Sequence, residues 1–137
     1  MNGKSKHHIP HILKFKTDRI AKEWESEKIP QKLRDTVILG AFYSFTYFKK
    51  PLVLTGIYRT PQEQYDIYKD NPAFIESPWK SNHQVWRAID LRSRIYTPDE
   101  IRRLMEVFNS IPYRDGKKKT AVYHKVGDNS FHFHIQV

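Results

Sequence analysis

Phe131-His132-Phe133-His134-Ile135-Gln136-Val137 is the stretch whose reading decides the fold. At period two it sorts Phe131, Phe133, Ile135 and Val137 onto one face and His132, His134 and Gln136 onto the other. Aromatic and β-branched residues on the first face predict a strand laid on a core. The second face sets two imidazoles close together on a rigid element. If both were charged they would repel; as neutral rings they are the start of a metal site. A strand with this pattern standing alone would equally be a solvated face.

A second stretch changes that balance. Ser81-Asn82-His83-Gln84-Val85-Trp86-Arg87-Ala88-Ile89-Asp90-Leu91 places a histidine ahead of an aspartate inside a short β-type run, residues 88–91. An aspartate between Ile89 and Leu91 is costly to bury unless a cation or hydrogen bonds compensate it. His83, Asp90 and one histidine of the 131–137 strand offer two nitrogen ligands and one oxygen ligand. Three protein ligands with a fourth position open is the pattern of a catalytic zinc. With no cysteine in the chain, a closed thiolate site, a disulfide and thiol catalysis are all excluded.

The 137 residues suffice for one domain with a single core, and 39% hydrophobic with 14% aromatic content is that of a globular chain. Residues 1–16 read as a loose basic arm and 17–137 as the domain. The arm carries His7, His8 and His11, but a flexible segment offers no preorganised metal geometry. Ile9-Pro10-His11-Ile12-Leu13 is too short and too broken for a signal sequence, and no apolar run is long enough to span a membrane. The expectation is a soluble monomer made in the cytoplasm without membrane insertion, reaching a cell wall only if released. The formal charge of +9 suits nucleic acid, an anionic membrane surface or an anionic wall polymer, or serves solubility alone.

Between the arm and the last strand the pattern alternates. Residues 18–28 predict a short helix stopped by Pro30. From Leu33, the positions Val37, Ile38, Ala41, Phe42, Phe45 and Phe48 predict the main core helix, one face inward. Pro51 ends it, and 52–58 reads as a buried strand. Thr60 caps and Pro61 begins a helix over 61–69 that carries Gln64. Residues 70–82, with Pro72, Pro78 and Trp79, read as a long loop of the kind that often binds. Thr97-Pro98 starts another helix with Ile101, Leu104, Met105 and Phe108 inward. A strand over 120–126 and a turn at Gly127-Asp128-Asn129 lead into the last strand.

The stretch from Ser81 to Asp90 resembles the S-x-H-x-x-G-x-A-x-D signature of zinc D-alanyl-D-alanine peptidases and phage cell-wall endopeptidases. His132-Phe133-His134 resembles the H-x-H motif that this family shares with hedgehog signalling domains. Thr55-Gly56-Ile57-Tyr58-Arg59-Thr60 through Gln64 is similar to the family's G-Y-R-S/T segment, with one residue inserted. The resemblance covers about residues 33–137, in the family's order. It implies an α+β single domain, a mainly antiparallel sheet with helices packed on one side. It also implies zinc on His83, Asp90 and His134, with His132 beside the reacting water. The family's catalytic carboxylate, three residues ahead of the zinc histidine, falls here on Phe131. Hedgehog domains carry a glutamate six residues ahead, and Asp128 stands there, one methylene shorter. Trp86 replaces the signature glycine, from which a reshaped or partly filled pocket is expected.

On this reading the chain is a zinc metallopeptidase acting on peptidoglycan stem peptides, as a D,D-carboxypeptidase or an endolysin-type endopeptidase. Asp128, His132 and Arg59 are the catalytic candidates. Arg59, Gln64, Ser81 and Trp86 are the substrate-binding candidates. Two other classes remain. A non-catalytic hedgehog-like zinc module fits Trp86 and the missing carboxylate. A basic nucleic-acid binder fits only the charge and aromatic content, and no stacking platform or phosphate cradle accompanies them.

Overall fold

A computed structural model of the protein describes residues 11–114, 116–125 and 130–137. The elements run β1 (Leu13–Phe15), α1 (Asp18–Trp24), α2 (Gln31–Phe48), β2 (Leu52–Gly56), α3 (Pro61–Tyr68), α4 (Pro72–Glu76), a 3-10 turn (Asn82–Val85), β3 (Ala88–Arg92), α5 (Pro98–Asn109), β4 (Ala121–His124) and β5 (His132–Gln136). The fold is α+β, with one five-stranded sheet in the order β1-β2-β3-β5-β4. β1 runs parallel to β2, and the remaining pairings are antiparallel, so the sheet is mixed. The centre of the sheet is β3 on β5, with Asp90 opposite His134 and Arg92 opposite His132. Among the described residues no helix is long and apolar enough to cross a membrane.

Two helices cover one face of the sheet. Phe133 meets Phe108 of α5 edge-on, ring centroids 5.8 Å apart, and α2 packs along α5. Ile89 and Leu91 of β3 and Phe133 and Ile135 of β5 are fully buried in the same core as Leu33, Val37, Leu104 and Phe108. Alternation then delivers Asp90, His132 and His134 to the opposite face. α1 and α3 border the cleft above that face through Arg19, Glu23, Glu63 and Ile67. Thr60 and Glu63 form a capping box at the start of α3, and Thr97 and Glu100 form one at α5. Each satisfies backbone N–H groups that the first helical turn leaves without partners.

Three sequence expectations need correction. Residues 1–16 are not all a loose arm: Leu13 to Phe15 pair with Leu52 to Leu54, and Leu13 is buried. The reading of 70–82 as a loop missed α4, which Asn71 caps from its side-chain oxygen onto Ala73 and Phe74 N–H. The inward face of α2 is also rotated. Phe42 and Phe45 are exposed, while Leu33, Arg34, Thr36, Val37, Gly40, Ala41 and Ser44 are buried. The polar members of that face are satisfied: Ser44 donates to the Lys50 carbonyl at 2.7 Å and shares a hydrogen bond with the Tyr96 hydroxyl, and Arg34 binds the Trp24 and Ser26 carbonyls.

Gly40 explains why α2 and α5 approach so closely. A Cβ placed there would lie 2.1 Å from Phe108 Cε1, and Phe108 has no exposed surface into which to retreat. Gly40→Val is therefore expected to lower stability by about 1–3 kcal/mol, the usual scale of overpacking, despite the poor helix propensity of glycine. Urea unfolding checks this; an unchanged midpoint would show that the interface can yield.

A charged clasp closes the outer wall of the cleft. Arg19 holds Glu63 at 2.6 Å and Glu23 at 2.8 Å, and donates to the Tyr58 carbonyl. The Arg19 hydrogen bond, with the Thr60 N–H behind it, holds the Glu63 carboxyl down at about 2. A carboxyl depressed by folding stabilises the native state above its unfolded pKa of about 4.3 and loses that contribution as pH falls towards 2. Both side chains are partly exposed, so the contribution is screened and small. In Arg19→Ala the Glu63 carboxyl should titrate near its ordinary value in a carboxyl NMR titration. An unmoved titration would mean that the backbone cap, not the arginine, sets it.

Candidate metal centre

His83 sits in the 3-10 turn just before β3, and the local sequence builds that turn. Ser81 accepts a hydrogen bond from the His83 N–H at 3.1 Å, while Gln84 reaches back to the Ser81 N–H at 2.9 Å. Trp86 then turns the chain into β3 with φ of +63°, in the left-handed region that favours glycine. This is the position where the resembled signature has glycine, and the backbone supplies the reason. The indole does not fill the cleft, contrary to the expected reshaping. It stacks on Tyr58, ring centroids 4.8 Å apart at 14°.

Asp90 is the hub. Its Oδ1 lies 3.1 Å from His83 Nε2 and 3.1 Å from His134 Nδ1, and its Oδ2 lies 3.4 Å from His132 Nε2. Ligand atoms of His83, Asp90 and His134 fall within 4.8 Å of one another, so this group could hold a metal ion. The far side of each ring is engaged. His83 Nδ1 is 2.8 Å from the Ile57 carbonyl, which makes it the donor and leaves Nε2 with its lone pair. His83 Nε2 is indeed buried with no hydrogen-bond partner. His134 Nε2 is 3.2 Å from Gln136 Oε1. That oxygen also accepts from Asn82, and the Gln136 amide nitrogen donates to the Lys119 carbonyl, which fixes which end of the amide faces His134. His134 therefore presents the lone pair of Nδ1 towards Asp90. Two oriented imidazole nitrogens and a buried carboxylate oxygen, each ring held from behind, are a donor set that could hold a metal ion.

The electrostatics agree with a compact charged cluster. Burial pushes the Asp90 carboxyl up, but the imidazoles of His83, His132 and His134 gathered round it hold it well below the carboxylate range. Burial also works against a charged His132, yet its contact with Asp90 prevails and raises it. His124 is lowered by burial and by the neighbouring His134 and His132.

The cluster opens through His83, Asp90 and His132 onto a cleft of about 530 Å³ whose walls include Lys16, Arg59, Arg92 and Arg94. Arg59 lines it as expected, its guanidinium held by Gln64 Oε1 at 2.8 Å. Gln64 is buried and does not face the cleft, so it positions Arg59 and bonds the Trp79 carbonyl instead of meeting a ligand. Ser81 and Trp86, expected to bind substrate, do not line the cleft either; one caps the His83 turn and the other packs on Tyr58. Asp128 lies outside the described residues. Phe131, in the place of the family's carboxylate, lines the cleft half-exposed and stacks on Tyr123.

Two residues of the site escaped the sequence reading. Gln136 shares the face of His132 and His134, and only the neighbouring carbonyl of Lys119 reveals its work. His124 stands directly across from His132 in the β4–β5 register, ring centroids 5.2 Å apart. The signal was the strand over 120–126, but nothing local fixes its register against β5. Comparison with protein-family models, with curated proteins and with solved structures finds no match.

Proposed function

We propose that the protein is a zinc-dependent peptidase acting on the stem peptides of peptidoglycan. The observation that supports it best is the convergence of His83 Nε2, His134 Nδ1 and Asp90 Oδ1, each with its lone pair turned inward, in a cluster that opens through His83 and Asp90 onto a basic cleft. A zinc ion on these ligands would supply a Lewis acid for the scissile carbonyl and lower the pKa of a water to about 7.

The chain's own residues do the rest. His132, facing the cleft beside the ligands, hydrogen-bonds to the oxygen that gains charge in the transition state. Arg59, braced by Gln64, presents a rigid fork to a substrate carboxylate. Lys16, Arg92 and Arg94 favour an acidic peptide by long-range attraction. Asp128, by the family resemblance, takes the proton from water and passes it to the leaving amine. Digestion of purified cell wall by zinc-loaded protein, read by mass spectrometry of the fragments, tests activity and bond choice together. Chelation should end the digestion yet leave the far-ultraviolet circular dichroism intact, because the core of α2, α5 and β5 lies on the other face of the sheet. Undigested wall with one equivalent of zinc bound would refute the peptidase.

One observation favours a second reading, a zinc module that cleaves nothing. Glu23 and Glu63, the glutamates lining the cleft, are both bound to Arg19, and Phe131 occupies the place of the family's carboxylate. Zinc binding without wall digestion is the outcome that selects it.

A further inference from the structure

The zinc position proposed above uses one oxygen of Asp90 and two of the four imidazoles gathered round it. The other oxygen, Oδ2, faces His132 at 3.4 Å, and His124 lies beside His132 on the neighbouring strand. Ligand atoms of Asp90, His124 and His132 also fall within 4.8 Å of one another. The Nε2 atoms of His124 and His132 are buried and have no hydrogen-bond partner. Buried polar nitrogens are nearly always satisfied, so two orphans side by side against a carboxylate oxygen call for a ligand. Like-charged imidazolium rings at this spacing would repel, whereas neutral rings need an electrophile to share.

We infer that Asp90, His124 and His132 form a second site for a divalent transition-metal ion, with Asp90 bridging it to the first through its two oxygens. The inference rests on the zinc reading of His83, Asp90 and His134. Two imidazoles and a carboxylate select zinc, copper, nickel or cobalt over magnesium and calcium, which prefer oxygen donors. A bridging carboxylate suits the separation of about 3.5–4 Å seen in two-metal sites. The second ion binds more weakly than the first. It shares an anion already engaged, and Arg59 and Arg92 line the same cleft. Arg92 is also the register neighbour of His132. Its arrival takes the nitrogen that His132 offers to the reacting groups, so excess zinc should suppress turnover.

Equilibrium dialysis against graded zinc, followed by metal analysis, tests this in a full chain whose His7, His8 and His11 are replaced by glutamine. Two ions are expected, the second at zinc concentrations at least about 10-fold higher, the step of roughly 1.4 kcal/mol between the sites. His124→Ala and the bulkier His124→Gln should each stop at one ion, with circular dichroism confirming the fold. One ion in all three proteins overturns the second site and leaves the first standing. Loss of the tight ion in the His124 variants also overturns it, by placing His124 in a single four-ligand site. No bound metal at all removes the first reading and the second with it. A measurement free of any variant uses cobalt: a bridged pair couples magnetically, so the paramagnetic resonance signal per ion should fall as the second equivalent binds. A strictly additive signal overturns the bridge.

Discussion

On the proposed peptidase reading, His134→Ala should strip the tightly held zinc and abolish wall hydrolysis together. The substitution removes the Nδ1 donor 3.1 Å from Asp90 Oδ1 and leaves one imidazole and one carboxylate on the first ion. Loss of an outer-shell partner typically costs 10–100-fold in metal affinity, so loss of a ligand should exceed about 100-fold. Gln136→Leu supplies the outer-shell comparison within the same pair of rings. It keeps all three ligands but frees the His134 ring to rotate, and should fall within that 10–100-fold range. Zinc competition with a chromophoric chelator measures both, once the arm histidines are replaced. Equal affinity in wild type and His134→Ala would sink the assignment.

His132→Ala should behave in the opposite way: the tight zinc stays and turnover drops by about 10²–10³, the scale for removing one hydrogen-bond donor to a developing oxyanion. The two histidines share a strand face, but alternate residues there stand about 6.6–7 Å apart. His134 is turned to Asp90 Oδ1 and His132 to Oδ2. Their consequences can therefore separate. Single-turnover kinetics beside metal analysis would read the split. Loss of the tight zinc on His132→Ala would instead mark a closed four-ligand site and favour the inert module.

Much of the site could be read without a structure, because its rules are local. Alternation in β5 gave both the buried Phe133 and Ile135 and the opposite histidine face, and the same alternation in β3 turned Asp90 away from Ile89 and Leu91. What failed depended on distant partners. β1 is three residues in a basic, proline-bearing segment, and it is a strand only because Leu52 to Leu54 lie beside it. α2 has apolar residues around most of its circumference, so periodicity could not choose between Phe42 and Ala41; the ring of Phe108 against Gly40 chose. Trp86 looked like a pocket-filler because its φ and the platform of Tyr58 are invisible in one dimension. His124 needed the register of β4 on β5.

The register around Asp90 also sets an order of events. The cluster's donors come from the 3-10 turn, β3, β4 and β5, and Asp90 meets His134 across a pairing of residues far apart in sequence. Such non-local pairings form late, because loop closure precedes the contacts that reward it. An unfolded chain thus has no preformed pocket in which a metal could nucleate structure. The helices and the apolar face of the sheet must assemble first, and an ion at the proposed site would then enter a finished cavity from the cleft. Loading would be timed by passage through that basic opening, so its rate should rise with ionic strength as the repulsion between the cation and the arginines is screened.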